Sequence, residues 1–130
     1  ASGLIELGAH TVSHPLLTDL PHDAARTEMR VSKERLEALG GRPVTHFAYP
    51  FGKRDCATPA LRTLARECGF SSAVLAYGGP VYPDSNRYAL PRLPFGDEDS
   101  LAALRLRASG ARSLFARHPH SEHSSGESNA

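Results

Sequence analysis

The sequence predicts an α/β fold: a mainly parallel sheet or barrel wall with helices outside it. Three observations predict this. Short apolar or β-branched runs alternate with amphipathic segments in the order β-α-β-α-β-(β)-α. The two longer helical segments end at glycine, and the strand candidates end in loops carrying His, Pro or Gly. Parallel strands joined by single helices place their carboxyl ends, and the loops that follow, on one face.

Residues 4–9 (Leu-Ile-Glu-Leu-Gly-Ala) form the first strand candidate, read as buried. Pro21 to Gly41 carries the strongest helix signal. Ala25, Met29, Ser32, Leu36 and Leu39 recur at steps of four and three and make one face. Gly40-Gly41 supplies the stop. Val44 to Tyr49 is β-branched and aromatic, hence a strand, and it ends at Pro50-Phe51-Gly52. Thr58-Pro59 reads as an N-cap followed by proline at the first helical position. Leu61, Leu64, Ala65 and Cys68 form the apolar face of that helix before Gly69. Ser72 to Ala76 is a third strand and Tyr88-Ala89-Leu90 a short fourth one. Ser100 to Arg107 is the last helix. No internal repeat is present. From about Gly110 the apolar pattern ends, and residues 111–130 are expected to form a disordered tail.

Composition narrows the function classes. The 130 residues allow one domain with a modest core, expected over 1–110. A net charge of +1 gives no strong field towards nucleic acid or an anionic membrane, so no nucleic-acid partner is expected. No apolar run approaches the roughly 20 residues that span a bilayer. The chain starts at Ala1 inside what reads as a structural unit, so a fragment is expected and the lack of a leader says little about its parent. Cys56 and Cys68 are not in a Cys-x-x-Cys arrangement and read as two separate thiols, with a disulfide or a metal role as alternatives.

The chemistry-bearing stretch is His10-Thr11-Val12-Ser13-His14-Pro15. Two imidazoles four residues apart can share one side of a short turn, and imidazole is a common zinc ligand. The pair alone is a weak signal, equally met as two surface residues. Its place after a strand candidate strengthens it, because α/β enzymes keep their chemistry at strand carboxyl ends. On this reading His10 and His14 face Tyr49-Pro50-Phe51-Gly52 across a cleft.

Gly8-Ala9-His10-Thr11-Val12-Ser13-His14-Pro15-Leu16-Leu17 resembles the H-[ST]-x-x-H motif of the polysaccharide deacetylases (NodB-homology domains, carbohydrate esterase family 4). Phe47-Ala48-Tyr49-Pro50-Phe51-Gly52 is similar to the F-A-Y-P-[YF]-G segment of exopolysaccharide-deacetylase members, and Leu90-Pro91-Arg92-Leu93 to a late L-P-R segment. The resemblance covers roughly residues 4–108. It implies an incomplete (β/α) barrel of the NodB type, about its second half. It implies His10 and His14 as ligands of a divalent metal, zinc by preference, with Thr11 or Ser13 orienting an imidazole. It implies the Phe51 N–H as oxyanion donor, and Tyr49, Pro50 and Arg92 as substrate-binding residues beside the Phe51 ring; the alternatives are core packing at the strand end for Tyr49 and Phe51, and a structural ion pair or solvent-facing position for Arg92. The implied partner is an N-acetylated polysaccharide, and the implied location is the cell envelope or the exterior.

Three departures stand out. The family's aspartate pair, which carries the third ligand and the base, precedes the histidines, whereas the only carboxylate before His10 here is Glu6. Glu6 does not match that motif. Ala48 stands where many members have arginine, and Leu114 to His118 does not match the Leu-x-His motif that supplies the acid. No base or acid is therefore assigned, and the chain alone is expected to be inactive. The leading expectation is metal-dependent removal of N-acetyl groups. The alternatives are O-acetyl ester hydrolysis, a carbohydrate-binding module that has lost catalysis, and an unrelated α/β domain. His22 reads as a helix-start residue, His46 as structural, and His118, His120 and His123 as tail residues able to hold a metal loosely.

Overall fold

The computed structural model describes residues 4–97 and 99–110. The expected tail, with its three histidines and Leu114 to His118, lies outside the described residues. The chain divides after Asp97 into two compact units.

In the first unit a short 3-10 turn at Leu17–Asp19 leads into α1 (His22–Gly40), and β1 (His46–Ala48) follows. A second 3-10 turn at Arg54–Cys56, α2 (Pro59–Glu67) and β2 (Ser72–Val74) complete it. β1 and β2 are parallel, with His46 opposite Ser72, Phe47 opposite Ala73 and Ala48 opposite Val74. Single parallel bridges extend this ladder, Ala9 to Phe47 on one side and Leu90 to Val74 on the other. Four parallel positions thus stand side by side in chain order.

The expected strand at 4–9 is reduced to Ala9, which donates to the His46 carbonyl at 2.8 Å and accepts from the Ala48 N–H at 2.8 Å. Leu4 and Ile5 are 88% and 72% exposed, so the expectation of a buried strand is corrected there. A strand needs a ladder along its length, and the backbone of this segment pairs with β1 only at its last residue. The fourth strand likewise narrows to the Leu90 bridge.

α1 turns Ala25, Met29 and Ser32 into the core, while Leu36 packs at its margin. Leu39, expected on the same face, is 84% exposed, so the expected apolar face does not continue into the last turn of the helix. Gly41 ends α1 at φ 63°, with its N–H on the Glu37 carbonyl at 2.9 Å. Glu37 also accepts from Lys33 at 2.8 Å and from the Val44 N–H at 2.9 Å, tying the helix to the start of β1.

Thr58 caps α2 by accepting from the Leu61 N–H at 3.3 Å, with Pro59 at the first helical position. Thr58→Ala is expected to lower unfolding stability by about 1 kcal/mol in urea titration, whereas a loss near zero would mean that water replaces the cap. Leu61, Leu64 and Ala65 of α2 are buried in the same core cluster as Phe47, Phe70 and Ala73. The Phe47 ring lies 5.2 Å from both the Tyr49 and Phe70 rings. Cys56 is buried and Cys68 half-buried, both are free thiols, and burial pushes the Cys68 thiol up.

The second unit carries α3 (Leu101–Ala108), capped by Ser100 accepting from the Ala103 N–H at 3.2 Å. Arg107 pairs with Asp99 at 2.7 Å.

Candidate active site

The site is built on the carboxyl end of β1 and the loop that follows Ala9. His10 follows Ala9 directly, and its Nδ1 lies 2.8 Å from the Ala48 carbonyl at the end of β1. A carbonyl only accepts, so Nδ1 carries the proton. In the neutral ring this leaves the Nε2 lone pair free, the state that a metal ligand requires. The loop then turns back. Thr11 and His14 adopt φ 66° and 59°, and the Thr11 hydroxyl accepts from the His14 N–H at 3.1 Å. This fold brings the His14 ring to 4.9 Å from the His10 ring and 5.0 Å from the Phe51 ring, centre to centre.

Among the described residues Phe51 is the third other than glycine with positive φ, at 62°. Gly52 N–H reaches back to the Pro50 carbonyl at 2.7 Å, closing a γ-turn around Phe51. The turn is anchored to the sheet: Tyr49 N–H donates to the Val74 carbonyl at 3.2 Å, and the Gly52 carbonyl accepts from Ala76 N–H at 2.9 Å. The Phe51 N–H makes no hydrogen bond to the described residues, and the ring is 53% exposed. Positive φ in residues with a Cβ costs about 1–3 kcal/mol each and concentrates at functional sites. Among the described residues the three of this kind are His14 of the imidazole pair, Thr11 next to His10, and Phe51 beside the His14 ring. An open groove of about 480 Å³ starts at Phe51 and runs along Leu16, Thr18, Lys53, Asp55 and Cys56.

The spacing of the pair can be tested against a metal. Two imidazoles on one tetrahedral zinc, with Zn–N of about 2.0–2.1 Å, hold their ring centres about 5 Å apart. The pair stands at 4.9 Å with one ring already oriented, so the residues fit as two ligands of a zinc-like ion. Among the described residues no group of three or more His, Cys, Asp or Glu side chains could hold a metal by itself.

The remaining sequence candidates separate. Tyr49 is corrected from groove to core: it is 1% exposed, and its hydroxyl donates to the Tyr88 carbonyl at 2.9 Å. Burial raises its phenol well above the usual value, so it stays neutral. The Pro50 ring is fully buried as well, which leaves its backbone turn, not its surface, beside the site. Arg92 is exposed and donates through Nε to the Leu75 carbonyl at the end of β2. Glu6 and Ser72 hold His46, with Nε2 3.1 Å from the Glu6 carboxylate and Nδ1 2.8 Å from the Ser72 hydroxyl. His22 makes no cap and lies 3.7 Å from Asp23.

One residue escaped the sequence reading, which placed Glu28 among the polar positions of α1. Its carboxylate accepts from the Val12 N–H at 2.7 Å and the Ser13 N–H at 3.0 Å through Oε2, and from the Ser13 hydroxyl at 2.8 Å through Oε1. Partial burial opposes its charge, yet these bonds hold its carboxyl below the ordinary value. No periodicity links residues 15 and 16 positions apart, so only the fold reveals the contact.

The family model for polysaccharide deacetylase matches residues 1–73, more than half of the chain. The chain belongs to the polysaccharide deacetylase family. Three solved structures resemble this chain. The Streptococcus pyogenes deacetylase PplD, solved in complex with acetate, matches at TM-score 0.70 and 24% identity, over 77% of this chain and 43% of its own. A polysaccharide deacetylase from Bacillus cereus matches at TM-score 0.68 and 23% identity, over 80% and 32%. IcaB from Ammonifex degensii matches at TM-score 0.64 and 21% identity, over 82% and 47%. At these identities the likeness is one of fold, that of the NodB-type deacetylases. The chain spans less than half the length of each. No curated protein sequence matches it.

Proposed function

We propose that this chain contributes two metal ligands and the oxyanion donor to a metal-dependent hydrolase that removes N-acetyl groups from a polysaccharide at the cell envelope or outside the cell. The observation that carries the proposal is the meeting of His10, His14 and Phe51 at one strand end, with Nε2 of His10 left free and the Phe51 N–H unengaged by the described residues. The parallel positions in chain order agree with part of a (β/α) barrel wall.

His10 and His14 would hold a divalent ion, zinc by preference, which when bound supplies a water of lowered pKa and polarises the acetyl carbonyl. The Ala48 carbonyl keeps the His10 proton on Nδ1 and the ring in place. Water adds to the acyl carbon, the C–N bond breaks, and acetate and a free amine result. The Phe51 N–H donates to the oxygen that becomes negative as the tetrahedral state forms. It sits on a strained turn held by backbone bonds, so little reorganisation accompanies that step. The exposed Phe51 ring gives a sugar an apolar face, and the groove beside it gives the chain a path. Arg92 is the proposed further substrate contact. A carboxylate for the third ligand and the base, and the general acid, come on this reading from outside the described residues. An ester substrate would meet the same apparatus.

Zinc calorimetry on the chain and on the double variant His10→Ala/His14→Ala tests the ligand assignment. The chain is expected to bind one zinc weakly, since full sites use three or four ligands, and the double variant not at all. Equal heats for both would reject it. The chain alone is expected to release no acetate from an N-acetylated oligosaccharide, and measurable turnover would show that the 130 residues hold a complete site.

A further inference from the structure

We propose that Glu28 is a positioning residue for the imidazole pair: one carboxylate, fixed on α1, takes the Val12 and Ser13 N–H groups and the Ser13 hydroxyl, all between His10 and His14, and so sets the shape of the loop that presents them. The proposal rests on the reading of His10 and His14 as metal ligands, though its structural part can be tested without metal.

The loop between the two histidines is a costly shape. Thr11, a β-branched residue, stands at φ 66° and His14 at φ 59°. Such conformations persist only when their surroundings over-determine them. The described contacts do this from two sides. Within the loop, the Thr11 hydroxyl donates to the His10 carbonyl at 2.5 Å and accepts from the His14 N–H at 3.1 Å. From the helix, Glu28 collects the outward-facing donors of Val12 and Ser13 at 2.7–3.0 Å. An ionised carboxylate suits this task, because it is acceptor-only and charge strengthens each bond.

The same bonds exclude Glu28 as the missing ligand or base. Oε2 is taken by two N–H groups and Oε1 by the Ser13 hydroxyl, so both oxygens face the back of the loop. α1 is in turn held in the core by Met29, the next residue, which is fully buried. The path from core to imidazole is therefore short: Met29 fixes the helix, Glu28 fixes the loop, and the loop fixes His14.

Glu28→Gln tests this with the fold nearly isosteric, since an amide cannot accept from all three donors. In the metal-free chain, the His14 imidazole NMR signals are expected to shift, and amide exchange at Val12 and Ser13 to rise at least tenfold. Unchanged imidazole signals and exchange overturn the proposal, whether or not zinc binds. Zinc affinity by calorimetry is expected to fall roughly tenfold to a hundredfold, as for other residues that orient a ligand. A lower melting temperature with signals and affinity unmoved would mean a merely structural role and also overturns it. Ser13→Ala removes one bond and keeps the backbone donors, so it is expected to give a smaller shift in the same direction, and it serves as the readout should Glu28→Gln fail to fold. Wild-type chain that binds no more zinc than His10→Ala/His14→Ala defeats the ligand reading while the metal-free signals still decide the role of Glu28.

Discussion

Gly52→Ala is expected to cost about 3–5 kcal/mol of unfolding stability, the sum of backbone strain and steric overlap. A Cβ at Gly52 would lie 2.3 Å from the Ala76 nitrogen and 2.4 Å from its Cβ, and Gly52 stands at φ 58°. The obstructing atoms are mostly backbone of the segment after β2, so no side chain can swing away. Gly41 provides the control. It has φ 63°, and nothing lies within 4 Å of its Cβ position. Gly41→Ala should therefore lose only the strain, about 1 kcal/mol. Urea unfolding of both variants separates the two contributions. Equal losses would mean that the Ala76 segment yields. The effect reaches the site, because Gly52 closes the turn that aims the Phe51 N–H. A variant that folds should thus have a displaced turn, visible as a shifted Phe51 amide resonance.

Phe47→Ala is expected to lose about 3–5 kcal/mol, the range for truncating a large buried aromatic. Phe47 is 1% exposed, and its ring meets those of Tyr49 and Phe70. No small side chain can fill that space from a strand pinned between Ala9 and Ala73. Against a typical stability of about 5–15 kcal/mol, such a loss brings the chain close to unfolding. Leu39→Ala removes a side chain of similar chemistry from an 84% exposed position and should change stability by no more than about 0.5 kcal/mol. Thermal melts of both variants check the contrast, and a comparable loss at Leu39 would place its side chain in a contact that the fold does not show.

The helices were the most legible part of the fold. Their signals are local: Thr58-Pro59 starts α2, Gly41 stops α1, and Ala25, Met29 and Ser32 repeat at helical spacing. The strands were legible in place but not in length. Regular pairing covers His46–Ala48 and Ser72–Val74, shorter than the apolar runs that contain them. Pairing depends on a neighbour's register, which a run of β-branched residues does not encode. Burial was harder still. Leu39 repeats correctly yet faces outward, and Leu4 and Ile5 are apolar yet exposed.

The candidate site divides in the same way. His10 and His14 could be singled out because ligand chemistry and spacing are both written along the chain. Tyr49 could not be placed, since an aromatic at a strand end serves a core or a groove equally well. Its hydroxyl bond to the Tyr88 carbonyl, 39 residues away in sequence, settles the matter in favour of the core.

By itself, the sequence determined the α/β order of elements, the helix boundaries, the deacetylase resemblance and the two histidines. These rest on interactions between residues near one another in the chain, or on residue chemistry alone. Only the tertiary structure decided that the histidine loop carries positive φ, that the Phe51 N–H stands unengaged beside it, that Tyr49 and Pro50 turn inward, and that Glu28 holds the loop. Each of those depends on where a distant backbone N–H, carbonyl or ring comes to rest, which is fixed only once β1, β2 and α1 have packed together.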